Sequence, residues 1–188
     1  NNLIAAIDIN TRFTSDNPHW NYINYDSAYV GEHWEDKKVD LVFFDTVHVK
    51  EQVLTETYYW WDHIKEGGLA IYHDTSWHGY RHHARHRAAG KQPGSSRQGF
   101  DRYGGIDWDT PDRAVETFFN VNLNPPERDI NNNNFVDIYE DEYIKVEQNW
   151  AFLGLTIVKK KKHFDYKDNQ NIDWEQVFER RKFLLSHL

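Results

Sequence analysis

The chain has 188 residues, enough for one domain with a real core, and its 28% charged content without any apolar run of spanning length excludes a membrane-spanning protein. A net charge of -8 excludes nucleic-acid binding by bulk electrostatics. With no cysteine, disulfides and thiolate metal sites are excluded too, which is compatible with a reducing, cytoplasmic compartment.

The first apolar run, Leu3 to Ile9 (LIAAIDI), reads as a strand ending near Asp8. Asn21 to Asn24 reads as a second strand that ends at Asp26 and Ser27, after a short, irregular crossover containing Pro18. Ala28 to Lys38 makes a short helix. The stretch from Val39 to Trp77 is the most informative. Leu41 to Phe44 and Leu69 to Tyr72 are continuous apolar runs, the pattern of strands buried on both faces of a parallel sheet. Between them Val49, Val53, Thr57, Trp60 and Ile64 recur at helical spacing, and Gly67 with Gly68 supplies a left-handed stop.

This strand–helix–strand unit places Asp45 and Asp74 at the carboxyl ends of two parallel strands, the edge at which open α/β sheets bind ligands. A short right-handed crossover makes the two strands neighbours. Two carboxylates converging in a cleft repel each other unless a cation joins them, and hard oxygen ligands suit Mg²⁺ or Mn²⁺.

Thr75 to Thr110 is rich in His, Arg, Gly and Ser and lacks apolar periodicity, so it reads as a functional lid or, alternatively, as a mobile polar insertion. His78, His82 and His86 fall at i, i+4 spacing, but the interleaved Arg81, Arg85 and Arg87 and the lack of a fourth ligand argue against zinc. Arg81 and Arg85 suit a phosphate or carboxylate, while Trp77, Tyr80 and Tyr103 suit stacking on a sugar face, which makes these five the candidate substrate residues. Pro111 opens the helix PDRAVETFF after a cap at Asp109 or Thr110. Asn131 to Asn134 reads as a loop, and the composition fits an AT-rich, viral genome. Tyr143 to Val146 and Phe152 to Val158 form an antiparallel hairpin across Gln148 to Trp150, and Lys159 to Lys162 reads as a solvated basic run. Asp173 caps a last helix whose Trp174, Val177, Phe178, Arg181, Leu184, Leu185 and Leu188 share one face that should dock on the domain or on a partner. The expected organisation is one domain over residues 1–160, followed by a linker and amphipathic helix over 161–188.

Taken in order, AIDIN, INYDS, LVFFDTVH, a helix, EGG, LAIYHDT and the hairpin resemble a class I S-adenosylmethionine-dependent methyltransferase over roughly Leu3 to Lys160. The D-x-x-H at Asp45 to His48, followed by a strand ending in His73-Asp74-Thr75, is similar to macrolide-sugar O-methyltransferases and cephalosporin-hydroxylase-like proteins. The resemblance implies an α/β, Rossmann-like fold whose mostly parallel sheet is closed by an antiparallel hairpin. It implies that Asp8 takes both ribose hydroxyls of the cofactor, that Ile9 and Asn10 lie along the adenosine, that Asp26 and Ser27 meet the adenine edge, and that Asp45 borders the cofactor. It further implies Mg²⁺ or Mn²⁺ on Asp45 and Asp74, with His73 where the family commonly has a carboxylate, and His48 as general base.

The family's first strand and its E-x-G-x-x-x-G turn have no counterpart in the sequence, and the chain does not begin with Met, so an upstream segment of the same polypeptide is expected to supply them. The expected activity is metal-assisted methylation of a hydroxyl on a sugar or glycan, with a small-molecule or glycan acceptor as partner and homo-oligomerisation left open. Two alternatives stand beside it. One is a degenerate module that keeps the fold and binds S-adenosylmethionine or a nucleotide without chemistry; the other is a different Rossmann-like enzyme with a nucleotide cofactor.

Overall fold

The computed structural model describes residues 4–9, 16–35, 38–75, 111–123, 132–151, 154–166 and 171–186, together with Pro125 and Asp129. Strands β1 (Ile4–Ile7) and β2 (Trp20–Ile23) pair in parallel as a two-stranded sheet. Helix α1 (Ser27–Glu32) starts at Asp26, which stays extended while its side chain accepts a hydrogen bond from the Tyr29 amide at 2.8 Å. That contact satisfies one of the orphan amides of a first helical turn. Strand β3 (Val39–Phe44), helix α2 (Lys50–Trp60) and strand β4 (Ile64–His73) then form the expected unit, with β3 and β4 parallel neighbours.

The glycine pair does not end α2, contrary to the reading of the sequence. A single 3₁₀ turn, Trp61–His63, ends it, and Ile64, which the spacing assigned to the helix, opens β4. Pairing passes from Val39 opposite Ile64 to Leu41 opposite Leu69, so residues 65–68 form a bulge. Gly67 adopts φ 81° there, and a Cβ on Gly68 would lie 2.9 Å from the Asp40 carbonyl oxygen.

The main sheet runs β3-β4-β7-β6-β5, where β5 is Val136–Glu140, β6 is Ile144–Asn149 and β7 is Leu155–Lys160. The expectation of a mostly parallel sheet is corrected: among the described residues only β3 and β4 pair in parallel in this sheet, and the other three pairings are antiparallel. The β6–β7 hairpin was legible in the sequence, but β5 extends it to a three-stranded meander, whose short connections force alternating strand direction. Among the described residues, β1 and β2 are not hydrogen-bonded into this sheet.

Phe44, Ala70, Tyr72, Val146 and Val158 from the sheet join Val53, Leu54, Trp60 and Trp61 in one core with Ala114, Val115, Phe118 and Phe119 of helix α3 (Pro111–Phe119). Tyr72 stacks on Phe44 at 4.7 Å and meets Phe119 edge-on at 6.3 Å. Burial of β3 on both faces is not observed: Leu41 and Phe43 remain 47% and 51% exposed. Helix α4 (Trp174–Leu185), capped by Asp173, docks on α2, with Trp174 and Phe178 at 4.6 and 5.3 Å from the Tyr58 ring and Leu184 fully buried beside Val49.

Lys160 is not part of a solvated run. It is buried, its Nζ donates to the carbonyls of Trp61 (2.7 Å) and Ile64 (3.0 Å), and it lies 5.0 Å over the Trp61 ring. Strand alternation turns it inward while Lys159 faces out, and burial pulls its pKa down to about 8. No helix among the described residues is long and apolar enough to cross a membrane.

Candidate active site

Because β3 and β4 are parallel and adjacent, their carboxyl ends deliver Asp45 and Asp74 to one place. His48, in the bend before α2, joins them: its Nε2 lies 2.6 Å from Asp74 Oδ2. One ligand atom from each of Asp45, His48 and Asp74 falls within 4.8 Å of the other two. His73 Nδ1 stands 3.3 Å from Oδ1 of both Asp45 and Asp74. The side chains grade from 12% exposed at Asp74 to 53% at Asp45, so the cluster has a buried wall and an open one.

Asp74 occupies the left-handed region, with φ 58°. For a residue other than glycine this conformation costs about 1–2 kcal/mol, and it persists where surrounding structure enforces it. The enforcement comes from Thr75, which is fully buried. Thr156 Oγ1 donates to Thr75 Oγ1 at 2.7 Å, and Gln148 Nε2 donates to the Thr75 carbonyl at 3.1 Å. Gln148 and Thr156 are cross-strand partners on β6 and β7, so the antiparallel half of the sheet clamps the turn that carries Asp74. Sequence reasoning did not single out this pair. Its signal was polar residues at inward positions of two strands that also turn Ile144, Val146 and Val158 inward.

The cluster fits a divalent cation. Two carboxylates and an imidazole converge, and the buried His73 Nδ1 and Asp74 Oδ1 face each other at 3.3 Å without a well-aligned hydrogen bond. Buried polar atoms left in that state are costly, and a shared cation would satisfy the carboxylate oxygens.

The second group of candidate residues lies at the ends of β1 and β2. The Asp8 amide donates to the Ile23 carbonyl at 3.1 Å, and the Asn24 carboxamide, with its nitrogen turned to the end of β1 as the two acceptors there require, donates to the carbonyls of Asp8 (3.0 Å) and Ile9 (2.8 Å). Asn24, which the sequence reading placed only at a strand end, therefore staples the two carboxyl ends together. Ile9 is 58% exposed beside this staple. From Asn24 a groove of about 500 Å³ runs along α1, walled by Tyr25, Tyr29 and Trp34.

Asp26 and Ser27 are engaged by protein partners. Asp26 caps α1 and pairs with Arg181 of α4, and Ser27 Oγ donates to Glu56 of α2. Glu56 is fully buried, and burial pushes its pKa up to about 7 against the opposing hydrogen bonds of Ser27 and Gln52 and the influence of Thr46. Asn10 and the candidate substrate residues Trp77, Tyr80, Arg81, Arg85 and Tyr103 lie outside the described residues, as do His78, His82, His86 and Arg87.

Residues 5–75 match the model of a methyltransferase domain family, Methyltransf_24. No curated protein matches the chain. Among solved structures, the chain aligns with the MycE methyltransferase from the mycinamycin biosynthetic pathway in complex with Mg, SAH and mycinamycin VI, at 17% identity and a TM-score of 0.43, covering 85% of this chain and 36% of that one. A MycE structure with Mg and SAH aligns at 16% identity and a TM-score of 0.40, covering 92% of this chain and 39% of that one. The chain thus spans well under half the length of these MycE chains. The family match runs from β1 to Thr75 and includes Asp45, His48 and Asp74, so this segment resembles a methyltransferase domain by its profile as well as by its motifs.

Proposed function

We propose that the chain carries the site of an S-adenosylmethionine-dependent, metal-assisted O-methyltransferase acting on a hydroxyl of a sugar or glycan. One observation carries the reading: the convergence of Asp45, His48 and Asp74 within 4.8 Å at the carboxyl ends of β3 and β4, inside the segment that matches a methyltransferase domain. The sugar acceptor follows from the likeness of the D-x-x-H and H-D-T motifs to those of macrolide-sugar O-methyltransferases.

Asp45 and Asp74 would hold Mg²⁺ or Mn²⁺, which when bound lowers the pKa of an acceptor hydroxyl beside it. His48 takes the hydroxyl proton, and the Asp74 carboxylate, 2.6 Å from its Nε2, stabilises the resulting imidazolium. The acceptor oxygen bonds to the methyl carbon as the carbon–sulfur bond of S-adenosylmethionine breaks and the electron pair leaves on sulfur as S-adenosylhomocysteine. Such an in-line displacement asks the protein mainly for positioning. Asp8, beside the Asn24 staple, is suited to accept hydrogen bonds from ribose hydroxyls.

The test combines calorimetry with S-adenosylhomocysteine and transfer of labelled methyl groups to a panel of sugar acceptors, with and without chelator. His48→Ala should lower kcat by about 10²-fold or more while leaving S-adenosylhomocysteine binding intact. Chelation or Asp74→Asn should remove the metal-dependent rate. Retained turnover in His48→Ala would discard His48 as the base, and a full-length wild-type protein that transfers no methyl group to any acceptor would favour a binding module without chemistry.

A further inference from the structure

The side chains of Asp26, Arg181, Gln52, Glu56 and Ser27 form a closed ring. Arg181 Nη2 pairs with Asp26 Oδ1, and its Nε donates to Gln52 Oε1 at 2.8 Å. Gln52 Nε2 donates to Glu56 Oε1 at 3.0 Å, and Ser27 Oγ donates to the same oxygen. Ser27 follows Asp26 in the chain, so the backbone at the start of α1 closes the circuit. The ring is shielded from water: Arg181 and Asp26 side chains are 14% and 16% exposed, and Gln52 and Glu56 are buried.

The geometry points to Arg181 as a positioning residue for the cofactor half of the site, with the C-terminal helix setting Asp26 and Ser27 through this ring. The inference rests on the reading of Asp26 and Ser27 as the dipeptide that meets the adenine edge. Two features separate it from an ordinary helix-docking contact. Arg181 grips the same Asp26 oxygen that accepts the Tyr29 amide, so it bears on the atom that starts α1. Docking of α4 has its own anchors in Trp174, Phe178 and Leu184, which do not need the guanidinium.

A lysine cannot replace the arginine here. The fork sends one N–H toward α1 and another toward α2, whereas an ammonium is a single point charge. The neighbouring Arg180 provides an internal control: it pairs with Glu51 at 3.3 Å, is 54% exposed, and has no part in the ring.

The experiment measures S-adenosylhomocysteine affinity by calorimetry, and S-adenosylmethionine KM and kcat, for the full chain and for Arg181→Ala, Arg181→Lys and Arg180→Ala. Arg181→Ala should raise Kd and KM about tenfold or more with kcat within about twofold, Arg181→Lys should not rescue it, and Arg180→Ala should match wild type. A folded Arg181→Ala with wild-type affinity overturns the inference, and so does an equal loss in Arg180→Ala. Where Arg181→Ala fails to fold, Gln52→Met opens the ring from the opposite side; lost affinity there supports the inference and wild-type affinity overturns it. A wild-type chain that binds no S-adenosylhomocysteine overturns the underlying cofactor reading instead, before any variant is compared.

Discussion

Glu56 places a carboxyl group where α2 meets α1, with almost no water around it. Its pKa stands at about 7 against an ordinary 4.5, chiefly because burial disfavours the anion. Between those values the folded chain holds a proton that the unfolded chain has lost. Stability therefore falls as pH rises from about 4.5 to about 7, and the full penalty, on the order of 3 kcal/mol, is present above that window. Glu56→Gln should flatten this decline, so that thermal unfolding followed from pH 4.5 to 8 shows a steeper loss of Tm in wild type than in the variant. Parallel profiles would remove Glu56 as the source. Burial also pushes Asp112 up, to about 6, with the same sign in a lower window, but that group is common to both proteins and cancels in the difference. At this scale the sequence was readable where a residue's role is set locally. Asp45 and Asp74 could be picked out because each ends an apolar run. Glu56 was not part of the stripe read from the sequence, although it lies three residues after Val53 and four before Trp60 on the same face, and its partner Ser27 lies 29 residues away, where nothing local names it.

Among the elements, the bulge in β4 shows where local signals are ambiguous. A glycine pair after a helical pattern can close a helix or loosen a strand, and only the pairing of Leu41 with Leu69 decides between them. Gly68→Ala should destabilise the fold by about 1–3 kcal/mol, because the added Cβ would press at 2.9 Å on both the Asp40 carbonyl oxygen and the Ile64 side chain. Denaturant unfolding measures this, and an unchanged midpoint would show that the bulge yields freely. The Lys159 to Lys162 run misled for a related reason. Four identical residues carry no alternation of their own, so the inward turn of Lys160 appears only once β7 is paired with β4. The short β5 was hidden by the Asn-rich stretch before it, whereas the longer amphipathic α4 was evident from its cap and its face.

In the whole molecule, two parts built from neighbouring sequence meet along one line. Residues 39–73 make β3, α2 and β4, residues 136–160 make the β5–β6–β7 meander, and the pairing of β4 with β7 joins them. The cluster draws on both. Asp45, His48 and Asp74 come from the first part, while Gln148 and Thr156, which fix the turn after Asp74, come from the second. This seam bears on the order of folding. Contacts close in sequence form at low entropic cost, and the β4–β7 pairing must close a far longer loop. Val158, fully buried opposite Ala70 on the seam, should therefore show a φ-value below about 0.3 when replaced by alanine, its destabilisation appearing mainly as faster unfolding. Val53→Ala, within the first part, should give a higher value. Chevron measurements on the two variants decide it, and a Val158 value equal to or above that of Val53 would reverse the order. With the order as stated, a newly made chain acquires its helices and hairpins before it acquires a settled Asp74, and the gathering of Asp45, His48 and Asp74 comes last.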